Sequence, residues 1–148
     1  MRRATRRSVR VVLDPNVLVA AVVAPGGVCA ELLERLARSA VGIVLSRLVL
    51  AEVESVLVRP KFSRIDTTQR AAYLAFLERI STVVEDPPDP STTLVERDPG
   101  DDYLVRLVIA EPGRLLVTGD PHLLELSHRH PIVSPRTFLD QLTAGERL

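Results

Sequence analysis

The chain has 148 residues, 46% of them hydrophobic but only 3% aromatic, with no tryptophan. That length accommodates one domain, whose core must come from Val, Leu, Ile and Ala, and the scarcity of aromatic rings argues against an aromatic stacking platform for single-stranded nucleic acid. Nineteen basic residues balance nineteen acidic ones, which excludes a polycation that binds nucleic acid through bulk charge.

Charge is nevertheless uneven along the chain. Arg2, Arg3, Arg6, Arg7 and Arg10 crowd the start, whereas Lys61 is the only lysine. Residues 1–8 therefore read as a basic arm, either solvated or in contact with phosphates, ahead of a single domain over residues 9–148. Asp14 and Asn16 interrupt the apolar stretch that a signal peptide would need, and no apolar run reaches the roughly 20 residues that span a bilayer, so a soluble, cytoplasmic protein is expected.

Val9 to Leu13 is a β-branched run typical of a buried parallel strand, and Asp14 before Pro15 is a good helix start. After the turn Pro25-Gly26-Gly27, Leu32, Leu33, Leu36 and Ala37 recur at helical spacing within Val28 to Ser39. This stretch holds Cys29, the single cysteine, which excludes an internal disulfide or a multi-cysteine zinc site and suits a reducing cytosol. Gly42 to Leu45 predicts a second strand. Ser46 predicts the N-cap of a helix to about Val58, stopped by Arg59-Pro60. A helix opening at Asp66 or Thr67 carries Ala71, Leu74, Ala75, Leu77 and Ile80 on one side, and Thr82 to Val84 predicts a third strand. Asp86-Pro87-Pro88-Asp89-Pro90 is a loop. Asp98-Pro99 then opens a helix to about Glu111, ended by Pro112-Gly113. Leu115 to Val117 is a strand, Asp120-Pro121 starts a short helix, Ile132-Val133 is an edge strand, and Pro135 begins a last helix through Leu142. Strands alternating with helices predict an α/β three-layer sandwich, a central parallel sheet with helices on both faces.

Against that frame, four acids stand at element ends. Asp14 closes the first strand, with Asn16 as a polar neighbour; it can cap a helix and bind a ligand at once. Glu52 shares a line of the helical wheel with Leu48 and Val56, beside Val49 and Val53, and so is expected inside the apolar stripe. A carboxylate there costs several kcal/mol unless it is paired or holds a metal; the alternative is that Glu52 only flanks the stripe and reaches out to solvent. Asp101 and Asp102 fall in the first turn of their helix, where the dipole favours anions. The helix beyond them is apolar nearly all round, and only the direction of Asp102, Tyr103, Arg106 and Ala110 stays polar, so that side should face a cleft. Asp120 follows Thr118-Gly119, where a turn role is at least as natural as metal binding; Thr118 could hold a water or a phosphate oxygen.

Carboxylates without Cys or His partners select Mg²⁺ or Mn²⁺. Such an ion orients and acidifies an attacking water and stabilises phosphate charge, which points to phosphodiester hydrolysis. His122, His128 and His130 form no convincing zinc pattern and read as surface residues.

With these residues set out, the chain resembles the PIN-domain ribonucleases, and more narrowly the bacterial PIN-domain toxins of toxin–antitoxin pairs. The resemblance rests on Leu13-Asp14-Pro15-Asn16-Val17-Leu18, Leu50-Ala51-Glu52-Val53, Asp98-Pro99-Gly100-Asp101-Asp102-Tyr103-Leu104, Leu116-Val117-Thr118-Gly119-Asp120 and Ser134-Pro135-Arg136-Thr137-Phe138-Leu139. It implies that Asp14, Glu52, Asp102 and Asp120 are catalytic, metal-binding acids, with Asn16, Asp101 and Thr118 as accessories. Asp102 is preferred to Asp101 because the family's acids in these two motifs stand 18 apart, and 120 − 102 = 18. Pro15 departs from the family, which usually has Thr there. The resemblance further implies an RNA substrate, a small antitoxin partner and a homodimer.

Other classes fit less well. A catalytically inactive PIN-like binding or regulatory module would be expected to have lost one or more of the acids. A phosphoacceptor receiver needs a lysine at a late strand end, and Lys61 is misplaced for it. A dinucleotide-binding domain lacks its G-x-G-x-x-G turn.

Overall fold

The computed structural model describes residues 9–88, 100 and 102–146. The arginine-rich residues 1–8, Asp98, Pro99 and Asp101 lie outside the described residues.

Five strands, β1 (Arg10–Leu13), β2 (Gly42–Ser46), β3 (Thr82–Val84), β4 (Arg114–Val117) and β5 (Ile132–Val133), form one sheet. Their order is β3-β2-β1-β4-β5, and every pairing is parallel. The central strand aligns Val11 with Ile43 on one side and with Leu115 on the other. Val11, Val12, Val44 and Leu116 are fully buried, as expected of strands covered on both faces.

Helices α1 (Pro15–Val23) and α2 (Val28–Ala37) link β1 to β2. Helix α3 (Arg47–Leu57), a 3-10 turn (Pro60–Phe62) and α4 (Thr67–Ile80) link β2 to β3. Helix α5 (Asp102–Ile109) precedes β4, α6 (Pro121–Leu124) leads to β5, and α7 (Pro135–Glu146) follows it. The chain steps one way along the sheet through β1, β2 and β3, then back across to β4 and β5. Right-handed crossovers therefore place α1 to α4 on one face and α5 on the other. Packing agrees: α1 lies against α2 and α3, whereas α5 lies on β1 and β4. The paths leaving β1 and β4 diverge, and between such strands an open sheet leaves a crevice at its carboxyl edge.

The strands and caps follow the sequence closely. Ser46 Oγ accepts from Val49 N at 3.3 Å to open α3. Asp66 and Gln69 close a reciprocal capping box at the start of α4, with bonds of 2.8 and 2.9 Å. Gly113 takes φ 86° beyond α5, a left-handed turn that glycine adopts without strain.

Several expectations shift. Helix α1 had a start but no predicted extent, because Pro15, Val17, Leu18, Val19 and Ala21 are all buried and leave little polar periodicity to read. Helix α4 packs through Tyr73, Leu74, Phe76, Leu77 and Ile80, while Ala71 and Ala75 face outward. The two aromatic rings, stacked 6.3 Å apart, turn the packed face toward themselves, and the Tyr73 hydroxyl donates to Leu18 O at 2.6 Å. Helix α5 ends at Ile109, two residues short of the expected Glu111, and α7 continues past Leu142 to Glu146. Asp86, expected only as loop, accepts from Leu48 N at 2.9 Å and so caps α3 from the chain beyond β3. Among the described residues no single helix is long and apolar enough to cross a membrane.

Candidate active site

Asp14 is the residue around which the crevice is organised. Its backbone N–H donates to Val117 O at 3.0 Å, extending the β1–β4 ladder by one step. The chain then turns into α1 through Pro15, which lacks an N–H and suits the first helical position. Asp14 Oδ1 accepts from Asn16 N at 2.8 Å, and Oδ2 accepts from Thr118 Oγ1 at 2.7 Å. Both carboxylate oxygens are thus fixed, in a residue only 3% exposed. Cap and site residue coincide.

Burial pushes the Asp14 carboxyl above its ordinary range. The bonds from Asn16 and Thr118 oppose that shift, and the negative charges of Asp120 and Glu52 add to it. Two further carboxylates therefore stand within electrostatic reach of the first.

Thr118 is fully buried and has two duties. Its hydroxyl donates to Asp14 and accepts from Asp120 N at 3.0 Å, so one side chain sets the relation between two acids. Asp120 in turn caps α6 by accepting from His122 N at 2.9 Å. The turn role expected for Asp120 is real, and the residue still faces the crevice.

Glu52 corrects the helical-wheel reading. The buried stripe of α3 runs through Val49, Leu50, Val53, Val56 and Leu57, while Leu48 and Glu52 are exposed. Glu52 is on the edge of the stripe rather than inside it, because Leu50 and Leu57 pull the packed face around by part of a turn. That edge overlooks the crevice. Asp14, Glu52 and Asp120 line a single cavity of about 400 Å³ at the carboxyl ends of β1 and β4, together with Asn16.

Asp102 is placed differently. It is 4% exposed, with Oδ2 3.4 Å from Arg106 Nη2 across one helical turn, and it does not line the cavity. Its neighbours Gly100 and Tyr103 do. The polar side of α5 meets the cleft as expected, but Tyr103 rather than Asp102 presents itself there. Tyr103 as a wall of the site was legible only as part of that polar direction.

The donors facing the cavity are oxygen atoms, which fits a hard divalent cation rather than zinc. Among the described residues no three carboxylate, imidazole or thiolate groups stand close enough to enclose an ion. Mg²⁺ and Mn²⁺ do not require such a cage, since they keep several waters and accept one or two carboxylates. Asp14, whose carboxyl is raised chiefly by burial and to a lesser degree by the charges of Asp120 and Glu52, is the group a cation there would relieve.

Comparison with known families matches residues 10–122 to the PIN domain, and the chain belongs to that family. PIN domains are generally nucleases, hydrolases of phosphodiester bonds. No curated protein matches the chain. Among solved structures, that of PAE2754 from Pyrobaculum aerophilum superposes with a TM-score of 0.65 at 23% identity, covering 93% of this chain and 97% of the other. At that identity the likeness is one of fold.

Proposed function

We propose that this protein is a Mg²⁺- or Mn²⁺-dependent endoribonuclease. The observation that carries the proposal is the cavity at the β1–β4 switch point, where Asp14, Glu52 and Asp120 converge in a chain of the PIN-domain family. Asp14 and Asp120 are each oriented by a backbone N–H. One or two of these acids would hold the cation, with Glu52 on the same cavity wall, and the family resemblance adds Asp102, which lies outside that lining, as the fourth acid. A cation bound there would lower the pKa of an attacking water and stabilise charge on the phosphate. The protein's part is orientation: Thr118 fixes Asp14 relative to Asp120, and Pro15 fixes the turn that presents Asp14. Pro15 offers no hydroxyl where the family usually has Thr, so Thr118 is the hydroxyl that positions the first acid.

The test is cleavage of single-stranded RNA with Mn²⁺ or Mg²⁺. Wild type should cut, while Asp14→Asn and Asp102→Asn should remain folded and not cut; equal cleavage by all three would sink the proposal. We further propose the toxin role, with a small antitoxin as inhibitor and a homodimer as the working form, on family resemblance. Expression should arrest growth, and a small neighbouring gene should relieve the arrest; absence of both overturns that role and leaves the nuclease standing.

A further inference from the structure

A second cavity, of about 390 Å³, adjoins the acidic cleft and shares Asn16 and Asp120 with it. Its remaining walls are mostly apolar: Val17 and Ala20 of α1, Cys29 of α2, and the rings of Pro121 and Pro135 at the starts of α6 and α7. Val17 and Pro135 are buried, so the recess reaches down to the core. The acids hold no part of it except at the shared boundary.

We propose that this recess seats a nucleobase, that of a nucleotide flanking the cleaved phosphodiester. The inference rests on the nuclease reading and adds to it the course of the strand. A nucleotide is divided as the two cavities are, with a charged phosphate at one end of a ribose and a flat, apolar-faced base at the other. A phosphate held at the acids leaves the attached base to cross the boundary into the apolar recess. Proline rings and small aliphatic groups supply the flat surface that this chain, poor in aromatics, does not build from Phe or Trp. Asn16, exposed at the boundary, carries both a donor and an acceptor on its amide and can meet the base edge.

Cys29, the only cysteine, is a built-in reporter. With Ca²⁺ in place of the active metals, a short single-stranded oligoribonucleotide should slow N-ethylmaleimide labelling of Cys29 severalfold, whereas ribose 5-phosphate should not. Ala20→Phe, which fills the recess from α1, should raise KM for RNA about tenfold with little change in kcat. If that variant does not fold, labelling of the wild type decides. Wild type that cleaves RNA while Cys29 reacts equally with and without oligonucleotide overturns the base site and leaves the nuclease reading intact. Failure to cleave with either metal overturns the reading beneath it.

Discussion

At the scale of single residues, Asp14 trades stability for chemistry. A carboxyl whose value is raised on folding binds protons more tightly in the folded chain than in the unfolded one. Its stabilising effect is present below the ordinary aspartate range and is lost as pH rises through that range to the raised value. Asp14→Asn keeps the shape and the bond accepted from Asn16 N, but its amide meets Thr118 Oγ1 only as a donor, which reverses that bond and takes the acceptor from the buried Thr118 hydroxyl, a cost that does not vary with pH. Without metal, the variant should therefore gain stability over wild type as pH rises through that window, read by thermal unfolding in EDTA. A variant less stable than wild type by the same amount at acid and neutral pH would contradict the burial argument. Thr118→Val removes the hydroxyl but keeps the volume, and leaves Asp14 Oδ2 and the Asp120 N–H short of partners. It should cost about 1–3 kcal/mol in urea unfolding and reduce cleavage.

At the scale of elements, α3 separates the work of folding from that of the site. Its buried stripe holds the helix to the sheet and to α1, while Glu52 stands clear of that contact. Glu52→Gln should therefore change stability by less than about 0.5 kcal/mol. In a Mn²⁺ titration the same change should weaken binding roughly tenfold; a large loss of stability instead would put Glu52 back in the core. The element scale is also where the sequence was most and least legible. Strand β1 and the cap at Ser46 were plain because short β-branched runs and capping hydroxyls are local signals. Helix α1 was not delimited, since burial on nearly all sides erases periodicity. The misplaced Glu52 has a related cause: a wheel shows which residues share a face, but not how far the packed face is turned by its partners. Asp102 shares the polar side of its helix with Tyr103, but only Tyr103 lines the cavity, whereas Asp102 is held 3.4 Å from Arg106 one turn along, a choice of partner that periodicity does not show.

At the scale of the whole molecule, metal binding and folding are linked. A cation that binds the folded cleft alone stabilises the protein by mass action, about 2.7 kcal/mol at a hundredfold excess over Kd. For a domain of this size that should appear as a rise of roughly 5–10 °C in melting temperature with Mn²⁺. The rise should shrink on acidification, because the cation needs deprotonated carboxylates, and should vanish in Asp14→Asn. An identical rise in the variant would show that the ion binds elsewhere. The bond between Asp14 and Thr118 spans 104 residues of sequence. During synthesis the first acid leaves the ribosome early, but nothing can orient it until β4 and the turn beyond it have followed and the sheet has closed around β1. A growing chain therefore carries no assembled cleft for most of its translation, and a messenger truncated before residue 118 yields a product without one.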